Sequence, residues 1–188
     1  MSAARLRLTI ILVGILVAGL ALLAWTQSWF ELALTTGQEL SVPGQSAAPA
    51  LSALALASLA LLGALSIAGR GIRLALGVVQ FVIGIAIVAV VVGVLADPAA
   101  ASAPTITALT AVSGPESVAA LIVSTGVGPW PALALIAGVL TALVGIAVVL
   151  TGRRWPGPTK KYEATPASDT GTPVGAWDSL SDGSDPTR

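Results

Sequence analysis

The sequence predicts an all-α integral membrane protein: a bundle of four transmembrane helices with both termini in the cytosol, and a small extracytoplasmic β-sheet built from the two outer loops. Three observations predict it. Apolar runs without a single Asp, Glu, Lys or Arg recur four times, at about residues 8–25, 50–68, 74–96 and 130–151. All nine basic residues fall in alternate segments: Arg5 and Arg7 before the first run, Arg70 and Arg73 between the second and third, and Arg153, Arg154, Lys160, Lys161 and Arg188 after the fourth. Aromatic residues gather where the runs end. Lys and Arg collect in short cytoplasmic segments near helix ends, and that bias sets orientation, so one pattern yields both span count and topology.

Composition supports the class. The chain has 188 residues, of which 55% are hydrophobic and 10% charged, with mean hydropathy +0.93; a soluble domain carries roughly 25% charged residues. Length alone suits one soluble domain, but uncharged runs of this extent belong in a bilayer. The net charge is zero, yet Glu31, Glu39, Asp97 and Glu116 lie on the outer connections with no base beside them. No basic face is large enough for nucleic acid. Cys is absent, which excludes disulfides and thiolate metal sites. His is absent too, which removes the commonest metal ligand and the commonest general base near neutral pH. No Walker motif, dinucleotide fingerprint or metal-ligand spacing occurs, so no cofactor, metal or catalytic residue is expected, and the protein is read as a non-enzyme.

The first span covers 18 residues, roughly 27 Å at about 1.5 Å per residue, close to the hydrocarbon thickness. Its apolar run is longer than a signal-peptide core, and Leu22-Leu23-Ala24-Trp25 lacks a small-x-small cleavage pattern, so it is read as an uncleaved span. Trp25, Trp29 and Phe30 cluster at its outer end as interfacial anchors. The second span follows Pro49. The third ends before Asp97-Pro98, and residues 69–73 are read as the short connection that makes these two spans antiparallel neighbours. The fourth starts at Trp130, with Pro131 in its first turn, where a missing N–H costs nothing. Trp130 and Trp155 mark its two ends as further anchors.

Lipid chains are as apolar as Leu, so small residues that allow close backbone approach must hold the spans together. Span four carries two such tracks, Ala134, Gly138, Ala142 and Ala137, Thr141, Gly145. Span two offers Ala53 and Ala57, and Ala60, Ala64 and Ala68; span one Gly14 and Ala18; span three Ala89 and Gly93. The same faces suit a partner's helix or an oligomer. Gln80 is the strongest polar group within a span. Its amide is expected to hydrogen-bond across the bundle; lining a polar path is the alternative.

In the first outer loop, Glu31-Leu-Ala-Leu-Thr-Thr36 and Glu39-Leu-Ser-Val42 flank Gly37-Gln38, which predicts a hairpin. A lone hairpin is marginal in water, and Ala120-Leu-Ile-Val-Ser-Thr125 is the candidate third strand. The second outer loop opens with an Ala/Pro/Ser-rich stretch, and Ser113-Gly-Pro-Glu116 is expected to start a short helix with Glu116 at its positive end. Residues 1–155 thus form the membrane domain. From Pro156 onward Pro, Gly, Ser, Thr and Asp dominate, so residues 156–188 are expected to be a disordered cytosolic tail. Trp177, Asp178 and Leu180 there form a candidate docking motif, since residues three apart share a helical face. Lys160 and Lys161 with Arg153 and Arg154 would attract anionic lipid headgroups.

Several segments together resemble a known family: Leu-Ala-Trp-Thr-Gln-Ser-Trp-Phe (23–30), Ala-Pro-Ala-Leu-Ser-Ala-Leu-Ala-Leu-Ala (48–57), Leu-Ala-Asp-Pro (95–98), Trp130-Pro131, and Trp177-Asp178-x-Leu180 with Asp185-Pro186-Thr187. Their order and spacing over nearly the whole chain resemble the tryptophan-biosynthesis-associated membrane protein family of actinobacteria. The resemblance implies a multi-pass plasma-membrane protein encoded near tryptophan-synthesis genes, and it carries over no catalytic residue. It directs attention to Trp25, Trp29, Asp97, Pro98, Trp177, Asp178 and Leu180. The expected function is a non-enzymatic scaffold or accessory subunit whose partners are the lipid bilayer and a membrane or cytosolic protein, recruited through helix faces or tail. The alternative is a small facilitator or exporter of an aromatic metabolite.

Overall fold

A computed structural model describes residues 2–155, apart from the side chain of Arg70. Four helices are long and apolar enough to cross a membrane. They are α1 (Ala3–Thr26), α3 (Ala50–Ile67), α4 (Arg70–Ala96) and α7 (Trp130–Thr151). Between α1 and α3 lie β1 (Ser28–Leu34), β2 (Glu39–Pro43) and the single-turn α2 (Gly44–Ala47). Between α4 and α7 lie α5 (Pro98–Thr110), α6 (Pro115–Leu121) and β3 (Ile122–Val127). A turn of 3-10 helix, Gly152–Arg154, extends α7.

The bundle is a ring in which α1 packs on α3, α3 on α4, α4 on α7 and α7 on α1. α7 is the most enclosed span, with 44% of its apolar window buried against 22% for α4. Large aliphatic side chains such as Leu16, Val82, Ile136 and Leu150 point outward and stay exposed; helices apolar on all sides need hydrocarbon around them.

The seam between α4 and α7 is set by glycines. A Cβ at Gly145 would lie 2.7 Å from Phe81 Cα, and one at Gly84 would lie 2.7 Å from Ala142 Cα. Gly77 and Gly138 meet Val148 and Ile87 across the same seam, at 2.9 and 2.8 Å from where their Cβ atoms would stand. Backbones thus touch where the chain has no side chain, which is how spans associate without a hydrophobic driving force. Gly14 of α1 does the same against Leu62, 2.8 Å from its would-be Cβ. The α3 tracks differ from expectation. Ala53, Ala57, Ala60 and Ala64 face outward, and the inward face is Leu51, Ala55, Ser58, Leu62 and Leu65. α3 therefore fills the interior with leucines rather than closing on it through alanines. Gly93 likewise has nothing within 4 Å of its would-be Cβ, and Ala89 is exposed.

The α3–α4 connection is shorter than the sequence suggests: only Ala68 and Gly69 separate the helices. Arg70 and Arg73 stand in the first turn of α4 instead of in a loop.

The loops at the opposite end form the expected three-stranded sheet, with order β2-β1-β3 and both pairings antiparallel. Gly37 adopts φ 80° in the hairpin turn, a conformation only glycine takes freely. The central strand alternates. Phe30, Leu32 and Leu34 are buried while Glu31 is exposed. Phe30 and Leu32 join Val42, Leu51, Ile83, Ile87, Ile106 and Val118 in one core cluster. Pro115 opens α6, with Glu116 in its first turn, as expected. α5 was not expected. Its Ala/Pro/Ser composition reads as a loop, yet Asp97 accepts a hydrogen bond from Ala100 N–H at 2.9 Å and Pro98 occupies the first helical position, both strong start signals.

Candidate functional site

Two constructed regions stand at opposite ends of the bundle. At the end holding the chain's start, the α3–α4 turn and the end of α7, Arg73 is 1% exposed. Its Nε donates to Ala68 O at 2.9 Å, and its Nη1 to Trp155 O at 3.1 Å and, more weakly, to Gly152 O at 3.4 Å. The guanidinium lies 5.7 Å from the centre of the Trp155 ring, within cation–π range. Trp155 Nε1 in turn donates to Thr151 Oγ1 at 3.1 Å. Helix ends leave carbonyls without intrahelical donors, and Arg73 supplies donors to α3 and to the α7 extension together. Arg7 reaches the same end of α3, donating from Nη2 to Ser66 O.

Of the residues expected as interfacial anchors, Trp29, Phe30 and Trp155 are each 0% exposed, their rings packed inside the protein. The reason is local: Trp29 Nε1 donates to Ala24 O at 2.7 Å at the end of α1, and its ring packs on Gly44, whose would-be Cβ lies 2.6 Å from Nε1. Trp155 packs with Ile10, Leu62, Leu65, Val144 and Val148. Trp25 and Trp130 are half-buried and keep part of their surface outward.

Between the two ends the interior is largely apolar, and among the described residues one side-chain pair bonds across its helices. Gln80 Nε2 donates to Ser58 Oγ at 2.7 Å, and both residues are 1% exposed. Gln80 thus bonds α4 to α3. Its Oε1 is buried without a partner. Thr141 Oγ1 donates to Ala137 O at 2.8 Å within α7. The six small residues singled out on α7, Ala134, Ala137, Gly138, Thr141, Ala142 and Gly145, are all buried.

The second region is the sheet-capped end. Its outward face carries Glu31 and Ala33 on β1, flanked by Ser41 and Glu39 on β2 and by Gly126 and Ser124 on β3. Glu31 Oε1 accepts from Ser41 Oγ at 3.0 Å. Glu31, Leu32, Ala33, Glu39, Ser124 and Gly126 line a groove of about 310 Å³. A second cleft, about 350 Å³, lies between α5 and α6 with Asp97 and Thr107 as its polar side chains. The four described acids Glu31, Glu39, Asp97 and Glu116 all belong to this end, whereas every described Arg belongs to the other. Among the described residues no group of three or more His, Cys, Asp or Glu is placed to hold a metal ion.

The tail positions Trp177, Asp178 and Leu180 lie outside the described residues. Sequence reasoning missed Arg73 as a helix-end clamp, because nothing local distinguishes it from a solvated loop cation. It also missed Ser58 as the partner of Gln80, although Ser58 is the polar residue nearest mid-span on α3. The family model of the tryptophan-associated transmembrane protein matches residues 8–187 of the chain. No curated protein and no solved structure matches it.

Proposed function

The chain belongs to the family of tryptophan-associated transmembrane proteins, and from that premise we propose that it is a non-enzymatic scaffold or accessory subunit of the plasma membrane, linked to tryptophan metabolism. The observation that carries this reading is the closed interior. The α4–α7 seam brings backbone against backbone at Gly84 and Gly145, and the Gln80 amide is engaged by Ser58. Two charged groups also serve the fold: Asp97 caps α5, and Arg73 clamps helix ends. Such a bundle presents surfaces. The partition of arginines and carboxylates between the two ends supports a topology with both termini cytoplasmic.

Crosslinking in native membranes followed by mass spectrometry tests this reading. A reproducible protein partner, lost with a substitution on the presented surface, is the expected result. A second reading, a facilitator of an aromatic metabolite, draws on one observation: Gln80 Oε1 sits in the interior without a partner. If purified protein in liposomes moves labelled tryptophan or indole and Gln80→Leu stops it, transport replaces scaffolding.

A further inference from the structure

We propose that β3 is a docking edge for an extended segment of a partner protein, one that alternates apolar with basic side chains. This rests on the scaffold reading and names the surface through which it operates. The two edges of the sheet differ. β2 carries Glu39 and ends on Pro43, two devices that discourage strand addition. β3, Ile122–Val127, has neither charge nor proline, and all of it beyond Ile122 is exposed. An uncharged, β-branched edge left open is a template for another strand.

The direction of its amides follows from the register. Gly128 N–H donates to Trp29 O at 2.9 Å, and pairing continues through Glu31↔Gly126 and Ala33↔Ser124. Alternate residues point their polar groups to opposite sides of a strand. The amides of Ser124 and Gly126 therefore face β1, and those of Thr125 and Val127 face away from the sheet.

Both faces of the edge match one kind of strand. Val127 pairs with Phe30 and Thr125 with Leu32, so the apolar inner face of the sheet continues onto β3. There the cover stops: Val127 is 57% exposed, and Val123, unpaired at the register shift between Ala33 and Leu34, is 67% exposed. Outside the four span helices, Leu109 is the only other exposed large aliphatic residue among those described. The outer face is the acidic groove. Its floor is Ala33, Ser124 and Gly126, and its carboxylates are Glu31 and Glu39. A Cβ at Gly126 would lie 3.5 Å from Glu31 O, so the glycine leaves the space over the edge clear for a long side chain from a neighbouring strand to reach Glu31. No described residue at this end carries positive charge, so the complement must come from a partner. In strand addition, main-chain bonds supply affinity and alternate side chains supply specificity.

The test uses the full chain in nanodiscs and a fluorescein-labelled peptide, Val-Lys-Val-Thr-Val-Lys-Val, read by fluorescence anisotropy, with the Val/Glu counterpart as control. The Lys peptide is expected to bind about tenfold or more tightly than the Glu peptide. Thr125→Pro removes an outward N–H and spares the β1 ladder, and it is expected to abolish binding. Val127→Lys, which keeps every backbone group, is expected to weaken the Lys peptide at least about tenfold, and Glu31→Gln, which leaves Glu39 in the groove, to reduce the preference for Lys over Glu. Protection of the Thr125 and Val127 amides from hydrogen exchange should appear only with peptide present. Failure of the Lys peptide to bind the wild-type chain, or equal binding to wild type and Thr125→Pro, overturns the proposal. A dimer seen by sedimentation that Thr125→Pro dissolves also overturns it, because the occupant is then a second copy. If the peptide fails while native-membrane crosslinking still recovers a partner, the docking edge falls and the scaffold reading stands.

Discussion

Arg73 is the residue whose role depends most on its surroundings. A buried guanidinium is costly unless its donors are used; here they meet the carbonyls of Ala68 and Trp155, with the Trp155 ring alongside. Arg73→Gln should lower stability by about 1–3 kcal/mol, the cost of leaving buried carbonyls unsatisfied. Arg73→Lys should recover only part of that, since an ammonium lacks the planar fork. Unfolding of detergent-solubilised protein, followed by Trp fluorescence, measures both. Gln80 behaves differently. Its bond to Ser58 is worth about 1 kcal/mol within a bilayer, and a mid-span Gln announces such a bond in the sequence. Arg73 does not, because a basic residue next to a span is equally at home in water. Trp29 and Trp155 share that ambiguity: position relative to a span marks the boundary, but only the fold decides whether the ring turns outward or inward.

Among the elements, the α4–α7 seam is the most demanding. Gly84 and Gly145 meet backbone atoms of the facing helix, and neither can shift without moving a whole span. Gly145→Val should therefore cost about 1–3 kcal/mol or more through overpacking, seen as a lower midpoint in thermal unfolding. Gly93→Ala, where the added methyl meets nothing within 4 Å, should not lower that midpoint, since Ala also favours the helix over Gly, and serves as the control. The small-residue spacing of α7 was legible in the sequence because it coincides with the buried face. The alanines of α3 were misleading for the same physical reason: Ala is as comfortable against lipid as against a helix. Element boundaries at the capped end were partly legible. Gly37 and Pro115 marked a turn and a helix start, whereas α5 was masked by Pro104 within it.

For the whole molecule, the separation of charge is the organising feature. Described arginines and described carboxylates occupy opposite ends of one bundle, and moving either end through hydrocarbon would cost several kcal/mol per charge. With the proposed topology, a cysteine introduced at Gln45 should react with an impermeant maleimide on intact cells, and one at Thr159 should react only after lysis. The chain has no Cys of its own, so the labelling background is clean. Reaction in the opposite sense would invert the topology and exchange the two ends' surroundings.

The sequence by itself determined that four helices are long and apolar enough to span, and that the loops after the first and third of them build a sheet. Each follows from local composition, since burial in lipid depends on a helix's own side chains and a hairpin on its own turn. The tertiary structure alone decided which helix faces meet, that Arg73 and Trp155 close one end, and that β3 rather than β2 is left open. Those outcomes depend on contacts between residues far apart in the chain, where one apolar face is chemically equivalent to another until packing selects between them.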